Sequence, residues 1–256
     1  MAENVGLSAP EAFILMSLPR FNSRQALKLG SMGLLAQGIL RIEQEDRPGR
    51  FRIRHITHLY AAPIASGSLP SIARSLLGVV RATEPDGLMK NVVKQSIRAY
   101  GGALLGFTQN FVIPSLVARG LAERRRLRLL GLIPLTRFYR TPTGEAEKAR
   151  LDDVMRDARS IPQYLDSDPA QAAALIAALG AAILLVEELR PHYAALAAAM
   201  RVHEGGEGFD LDIGEFDVGG IDFSAFDAGA FDSFDSGFSD AGGDSGDGGD
   251  GGSSGC

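Results

Sequence analysis

Residues 116–142 read LVARGLAERRRLRLLGLIPLTRFYRTP, and the order of events in this stretch decides the fold class. Leu116 to Leu121 end a segment in which Gly120 stands directly before a hairpin-like stretch, giving the order helix, glycine, hairpin. Glycine serves there because it takes the left-handed backbone conformation without a Cβ clash. Beyond it the composition predicts a hairpin, with strands near residues 126–130 and 137–141 and a turn across Gly131 to Pro134. A helix over residues 89–102 feeds the segment.

The same order occurs earlier. Asn22 or Ser23 caps a helix carrying Leu27, Met32, Leu34 and Leu35 at helical spacing, and Gly38 stops it. Residues 39–43 and 51–54 then alternate apolar and charged side chains at a period of two, with the turn sequence Asp46-Arg47-Pro48-Gly49 between them. Helix, glycine and hairpin form the plan of a winged-helix-like unit. Its recurrence suggests an internal duplication, although the two copies read directly against each other share little residue identity.

The remaining elements are helical. Pro10 and Glu11 open a helix that Pro19 ends, residues 145–159 read as a charged surface helix, and Asp168-Pro169 starts an apolar helix over residues 170–189. A last helix is expected at 193–201. The fold class is therefore mainly α: a helical globular domain with two short β-hairpins in winged-helix-like units, followed by a disordered tail. The domain occupies residues 1–204 and the tail 205–256. Within that tail are 13 Asp and Glu, no Lys or Arg, frequent Gly, and seven Phe, most of them beside Asp. Such a composition cannot offset ordering entropy by burial, so disorder is expected, and the spaced Phe-Asp pairs make it a candidate protein-binding segment.

Charge is divided along the same line. The whole chain carries 26 Lys and Arg against 31 Asp and Glu; with the tail's 13 acids set aside, the body keeps 18 and a net charge of +8. A basic body points to phosphate-bearing partners, either lipid or nucleic acid. Cys256 is the single cysteine, so no disulfide forms within the chain and a reducing, cytoplasmic setting is expected. The apolar run at residues 172–186 is shorter than the roughly 20 residues of a membrane span and reads as a core helix.

No catalytic motif is legible: there is no nucleophile elbow, phosphate loop or dinucleotide fingerprint. His55 and His58, with two residues between them, have no Cys or acidic third ligand nearby in sequence, so neither a metal site nor a cofactor is expected, and the chain reads as non-catalytic. The strongest physical signal is basic. Residues 119–140 hold Arg119, Arg124, Arg125, Arg126, Arg128, Arg137 and Arg140 against one acid, Glu123, and enclose the apolar positions Leu129, Leu130, Leu132, Ile133 and Leu135. An apolar turn between arginines suits the interfacial layer of a bilayer, where the tip buries hydrocarbon surface and guanidinium groups meet phosphates. Two alternatives stand beside it: leucines packed on the body with solvated arginines, and a nucleic-acid-binding wing, whose tip would ordinarily be polar.

The same text, with DSDPAQAAALIAALGAA at residues 166–182 and LKLGSMGLLAQGILRIE at 27–43, resembles the Golgi phosphoprotein family, peripheral membrane proteins that bind phosphatidylinositol 4-phosphate, in its bacterial form. That resemblance implies a mostly helical fold, a hydrophobic hairpin entering the membrane near residues 129–135, and a basic head-group pocket to which Lys28 would contribute. The family's pocket also uses a tryptophan, which this chain lacks, and arginines on the helix that here reads Gly106-Phe107-Thr108-Gln109-Asn110.

Overall fold

The computed structural model describes residues 6–48, 53–63, 69–129, 133–168, 171–172, 175–176 and 179–192. The tail, the helix expected at 193–201, and the hairpin tips at 49–52 and 130–132 lie outside the described residues. Helices α1 (Ala9–Ser17) and α2 (Ser23–Ala36) lead into strands β1 (Leu40–Pro48) and β2 (Ile53–Ala61). Helices α3 (Ser71–Arg81), α4 (Met89–Tyr100), α5 (Leu105–Phe107) and α6 (Ile113–Ala118) follow, with a π-helical turn, Thr108–Val112, between the last two. Strands β3 (Ala122–Leu129) and β4 (Ile133–Arg140) form the second hairpin, and α7 (Pro142–Ala158) and α8 (Ile161–Ser167) continue the chain. Each hairpin is a separate two-stranded antiparallel sheet.

The core is helical. Ile14 and Leu15 of α1, Leu27, Leu29 and Met32 of α2, Leu77 of α3 and Phe107 of α5 are all fully buried, with Leu40 and Leu59 at the base of the first hairpin. Gly30 lets α2 and α3 approach: a Cβ there would stand 2.8 Å from Leu76 Cδ1. Side-chain caps start α2 and α7. The Asn22 Oδ1 accepts from the backbone N–H of Arg24 and of Gln25 at 3.0 and 3.2 Å, and Thr141 Oγ1 accepts from Gly144 N at 3.0 Å to start α7.

The two units repeat one backbone plan, more closely than direct comparison of the sequence suggests. In the first unit Gly38 has φ +64°, its N–H donates to Leu35 O, and Ile39 N donates to Leu34 O. In the second, Gly120 has φ +69°, its N–H donates to Val117 O, and Leu121 N donates to Leu116 O. This is one helix stop used twice, a Schellman-type exit. The hairpins close alike as well: Ala62 N donates to Ile39 O, and Thr141 N to Leu121 O. Aligned on these bonds, Leu34, Ala36 and Gly38 match Leu116, Ala118 and Gly120, while Thr57, Tyr60 and Pro63 match Thr136, Tyr139 and Pro142. An arginine also lies over the matched tyrosine in each unit, though from different register positions: Arg41, directly opposite Tyr60, is 5.7 Å from its ring centroid, and Arg125, two residues beyond the position opposite Tyr139, is 5.2 Å from that ring.

Several boundaries differ from expectation. The second hairpin begins at Ala122, immediately after the glycine exit, and its strands run to Leu129 and from Ile133, so the arginines stand on the ribbon and not before it. In the first hairpin, Asp46, Arg47 and Pro48 belong to β1 rather than to a turn. Helices α3 and α8 were not anticipated. The apolar helix expected over 170–189 is not continuous: a 3₁₀ segment occupies Gly180–Leu185, Val186 is extended at ψ 96°, and a second 3₁₀ segment covers Glu187–His192. Gly180, a poor helix former, stands where the change begins, and Pro191 follows near its end. The segment is nevertheless core, since Ala172, Ile176, Ile183, Leu184 and Leu189 are buried. No single described helix is long and apolar enough to cross a membrane; α4 with the α5–α6 stretch passes only as a pair bent by 61°.

Candidate functional site: an arginine hairpin

Alternation along an antiparallel pair assigns residues to faces, because directly opposite residues share one. In the second hairpin, Arg124 opposes Phe138, Arg126 opposes Thr136 and Arg128 opposes Pro134, so the three arginines form a row on one face. Their spacing along the strand is about 6.8 Å, two residues of rise. On the other face the register pairs Glu123 with Tyr139 and Arg125 with Arg137 near the base, then Leu127 with Leu135 and Leu129 with Ile133 toward the tip. The distal half of the ribbon thus places four apolar positions on one side and Arg126 and Arg128 on the other. Leu130 and Leu132, read as the apolar tip, lie outside the described residues.

The base of the ribbon is exposed and strongly charged. Arg124, Arg125, Arg126 and Arg137 are all exposed. Arg125 Nε donates to Glu123 Oε1 at 2.7 Å and its guanidinium also lies over Tyr139; Arg124 Nη2 donates to Thr136 Oγ1 at 3.4 Å. Like charges directly opposite on a sheet are unfavourable, which makes the Arg125 and Arg137 pairing a position where an anion relieves repulsion.

Two residues assigned to the site in sequence belong elsewhere. Arg140, the last residue of β4, turns inward, with its side chain 14% exposed. Its Nη1 donates to Leu15 O at 2.9 Å, Met16 O at 3.3 Å and Leu18 O at 2.7 Å, and its Nε donates to Glu145 Oε1 at 2.8 Å. It therefore caps the C-terminal carbonyls of α1, where a cation also complements the helix dipole. Lys28 lies on α2 and is 4% exposed, so it does not share a surface with the hairpin arginines.

Arg119, also read as part of the basic run, faces the opposite end of α1. Its Nη1 is 3.7 Å from Glu11 Oε1, an oxygen that also accepts from Ser115 Oγ, while Glu11 Oε2 accepts from Ser8 N at 2.9 Å. Glu11 is buried, so this group of polar side chains joins α1 to α6. Residues of the second unit consequently hold both ends of α1. Sequence reasoning missed this clamp, since its contacts span 104 to 125 residues along the chain.

His58 has partners of its own. His58 Nδ1 donates to Asp86 O at 2.9 Å, its ring stacks on Tyr60, and no group of three or more His, Cys, Asp or Glu with metal-binding geometry occurs among the described residues. No protein-family model matches the chain, and no curated protein matches it in sequence.

Proposed function

We propose that the protein docks on acidic membrane lipid through the β3–β4 hairpin, as a peripheral, non-catalytic binding module of the cytoplasm. The observation that carries this reading is the protein's own internal control. The ribbon positions of Arg124, Arg126 and Arg128 are those of Ile42, Gln44 and Asp46 in the first unit, behind the same glycine exit and the same closing hydrogen bonds. The hairpin scaffold folds without arginine at these places, so folding does not account for the row. At the position where the second unit opposes Arg125 to Arg137, the first opposes Glu43 to His58.

An arginine row alone suits any polyphosphate. The apolar positions 127, 129, 133 and 135 on the ribbon's other side favour lipid, because hydrocarbon surface gains from burial in an acyl layer and gains little against a nucleic-acid backbone. The resemblance to the Golgi phosphoprotein family supports the same reading and extends it to phosphoinositide head groups and an adaptor role. The displacement of Lys28 and Arg140 from the surface, together with the missing tryptophan, favours general acidic-lipid docking over a pocket specific for one head group.

Replacing Leu132 and Ile133 by Asp tests the lipid reading against the nucleic-acid one. The double variant is expected to lose about 100-fold or more in partitioning onto vesicles containing phosphatidylserine, the effect of losing two buried aliphatic side chains worth about 3 kcal/mol together, while its retention on a short DNA duplex is unchanged. Equal vesicle binding by variant and wild type, together with salt-sensitive duplex binding by both, would assign the hairpin to nucleic acid instead.

A further inference from the structure

We infer that residues 205–256 of the same chain bind the arginine row of the β3–β4 hairpin and leave it when an anionic surface takes their place. The inference rests on the same surface as the lipid reading but adds a partner and a means of regulation.

Three observations meet here. First, the row is a run of cations on a short ribbon: Arg124, Arg126 and Arg128 share one face, and Arg125 opposes Arg137 on the other, with Glu123 the single acid of β3 and β4. Arg125 already engages Glu123, whereas the exposed Arg126 and Arg137 extend the charge along the ribbon without an acid in either strand near the tip. Second, the tail is the complement in composition, with 13 carboxylates, no Lys or Arg, and Phe residues placed beside Asp at Phe209, Phe216, Phe226, Phe231 and Phe234. Those side chains offer a guanidinium both a carboxylate and an aromatic face, the pair that Glu123 and Tyr139 already supply to Arg125 within the hairpin. The structure thus contains one worked example of the recognition that the tail can repeat.

Third, tethering makes weak contacts count. A Gly- and Ser-rich chain of about 50 residues spans an r.m.s. distance of about 40 Å, close to the breadth of a body of about 200 residues. Its local concentration at the hairpin is then of millimolar order. The charge contrast is confined to the second hairpin. In the first, Glu43, Glu45 and Asp46 of β1 are matched by Arg41, Arg47 and Arg54 on the two strands, so an acidic segment meets no net positive charge there. The expected contact is therefore selective between two hairpins of one architecture.

The test uses the full chain and its one cysteine. A nitroxide attached to Cys256 is expected to broaden the backbone amide signals of β3 and β4 at low salt and to leave those of β1 and β2 sharp. The broadening should disappear near 1 M salt, where the screening length falls to about 3 Å. Absence of broadening at low salt, or equal broadening of both hairpins, overturns the inference. In a second arm, a full-length variant with the tail's 13 acids changed to their amides is compared with wild type on phosphatidylserine vesicles. About tenfold tighter binding by the variant is expected from removal of a tethered competitor. If wild type binds and the variant binds equally, the tail does not compete and the inference fails. Selective broadening with no vesicle binding by either chain would retain the intramolecular contact and refute the lipid reading, so the two failures are distinguishable.

Discussion

Changing Arg124, Arg126 and Arg128 together to Gln is expected to lower partitioning onto acidic vesicles by about 150-fold while leaving thermal stability nearly unchanged. The binding figure follows from roughly 1 kcal/mol for each basic side chain near an anionic surface, or about 3 kcal/mol for the three. The stability expectation follows from the first hairpin, which carries Ile42, Gln44 and Asp46 at the same ribbon positions and forms the same closed antiparallel pair. Arg124 and Arg126 are exposed, and surface substitutions of this kind usually change stability by less than about 0.5 kcal/mol each. Vesicle co-sedimentation and a thermal melt on the same preparation read both quantities. Parallel losses in both would mean that the arginines hold the fold, and that the comparison between the two units misleads.

Arg140 should behave in the opposite way. Its guanidinium serves three carbonyls at the end of α1 and the Glu145 carboxylate, and Arg140→Ala leaves those oxygens facing a partly buried gap. Removing charged hydrogen bonds to buried acceptors costs about 3 kcal/mol in total. For a body of this size that lowers Tm by roughly 6–12 °C. Lysine at 140 retains the charge but not the fork of donors, so it should recover only part of the loss. A melt of Arg140→Ala within 1 °C of wild type would show that α1 does not depend on this clamp. The contrast matters because Arg140 and Arg126 look alike in sequence, both within one basic run, yet one is a structural cap and the other belongs to an exposed row.

That contrast also marks how far the sequence could be read. The helices α1, α2, α4 and α7, the glycine exit at Gly38 and the existence of both hairpins were legible, because each depends on local signals such as Asn22, Pro10 and Gly38. The duplication was visible in outline and hidden in detail for a definable reason. Gly38 matches Gly120 at an offset of 82 residues, but Tyr60 matches Tyr139 at 79, since the second hairpin is shorter by one residue in each strand and one in the connection. No single offset aligns both sides, and only the hydrogen-bond register reveals the matches at Thr57 and Thr136 or Pro63 and Pro142. Helix α3 carries a clear apolar face in Ile72, Leu76, Val79 and Val80, but Pro70 provides no side-chain cap, so its start has no strong local mark. The inward turn of Arg140 and the burial of Lys28 were beyond reach, because both depend on contacts made by distant segments.

Lipid docking through the arginine hairpin is tested most directly by the full-length protein on vesicles whose phosphatidylserine content rises from zero to about half, at low and at physiological salt. It predicts negligible partitioning on purely zwitterionic vesicles, a steep rise with acidic lipid, and weaker binding at the higher salt. Partitioning that stays flat across the whole range of acidic lipid at both salts would contradict it.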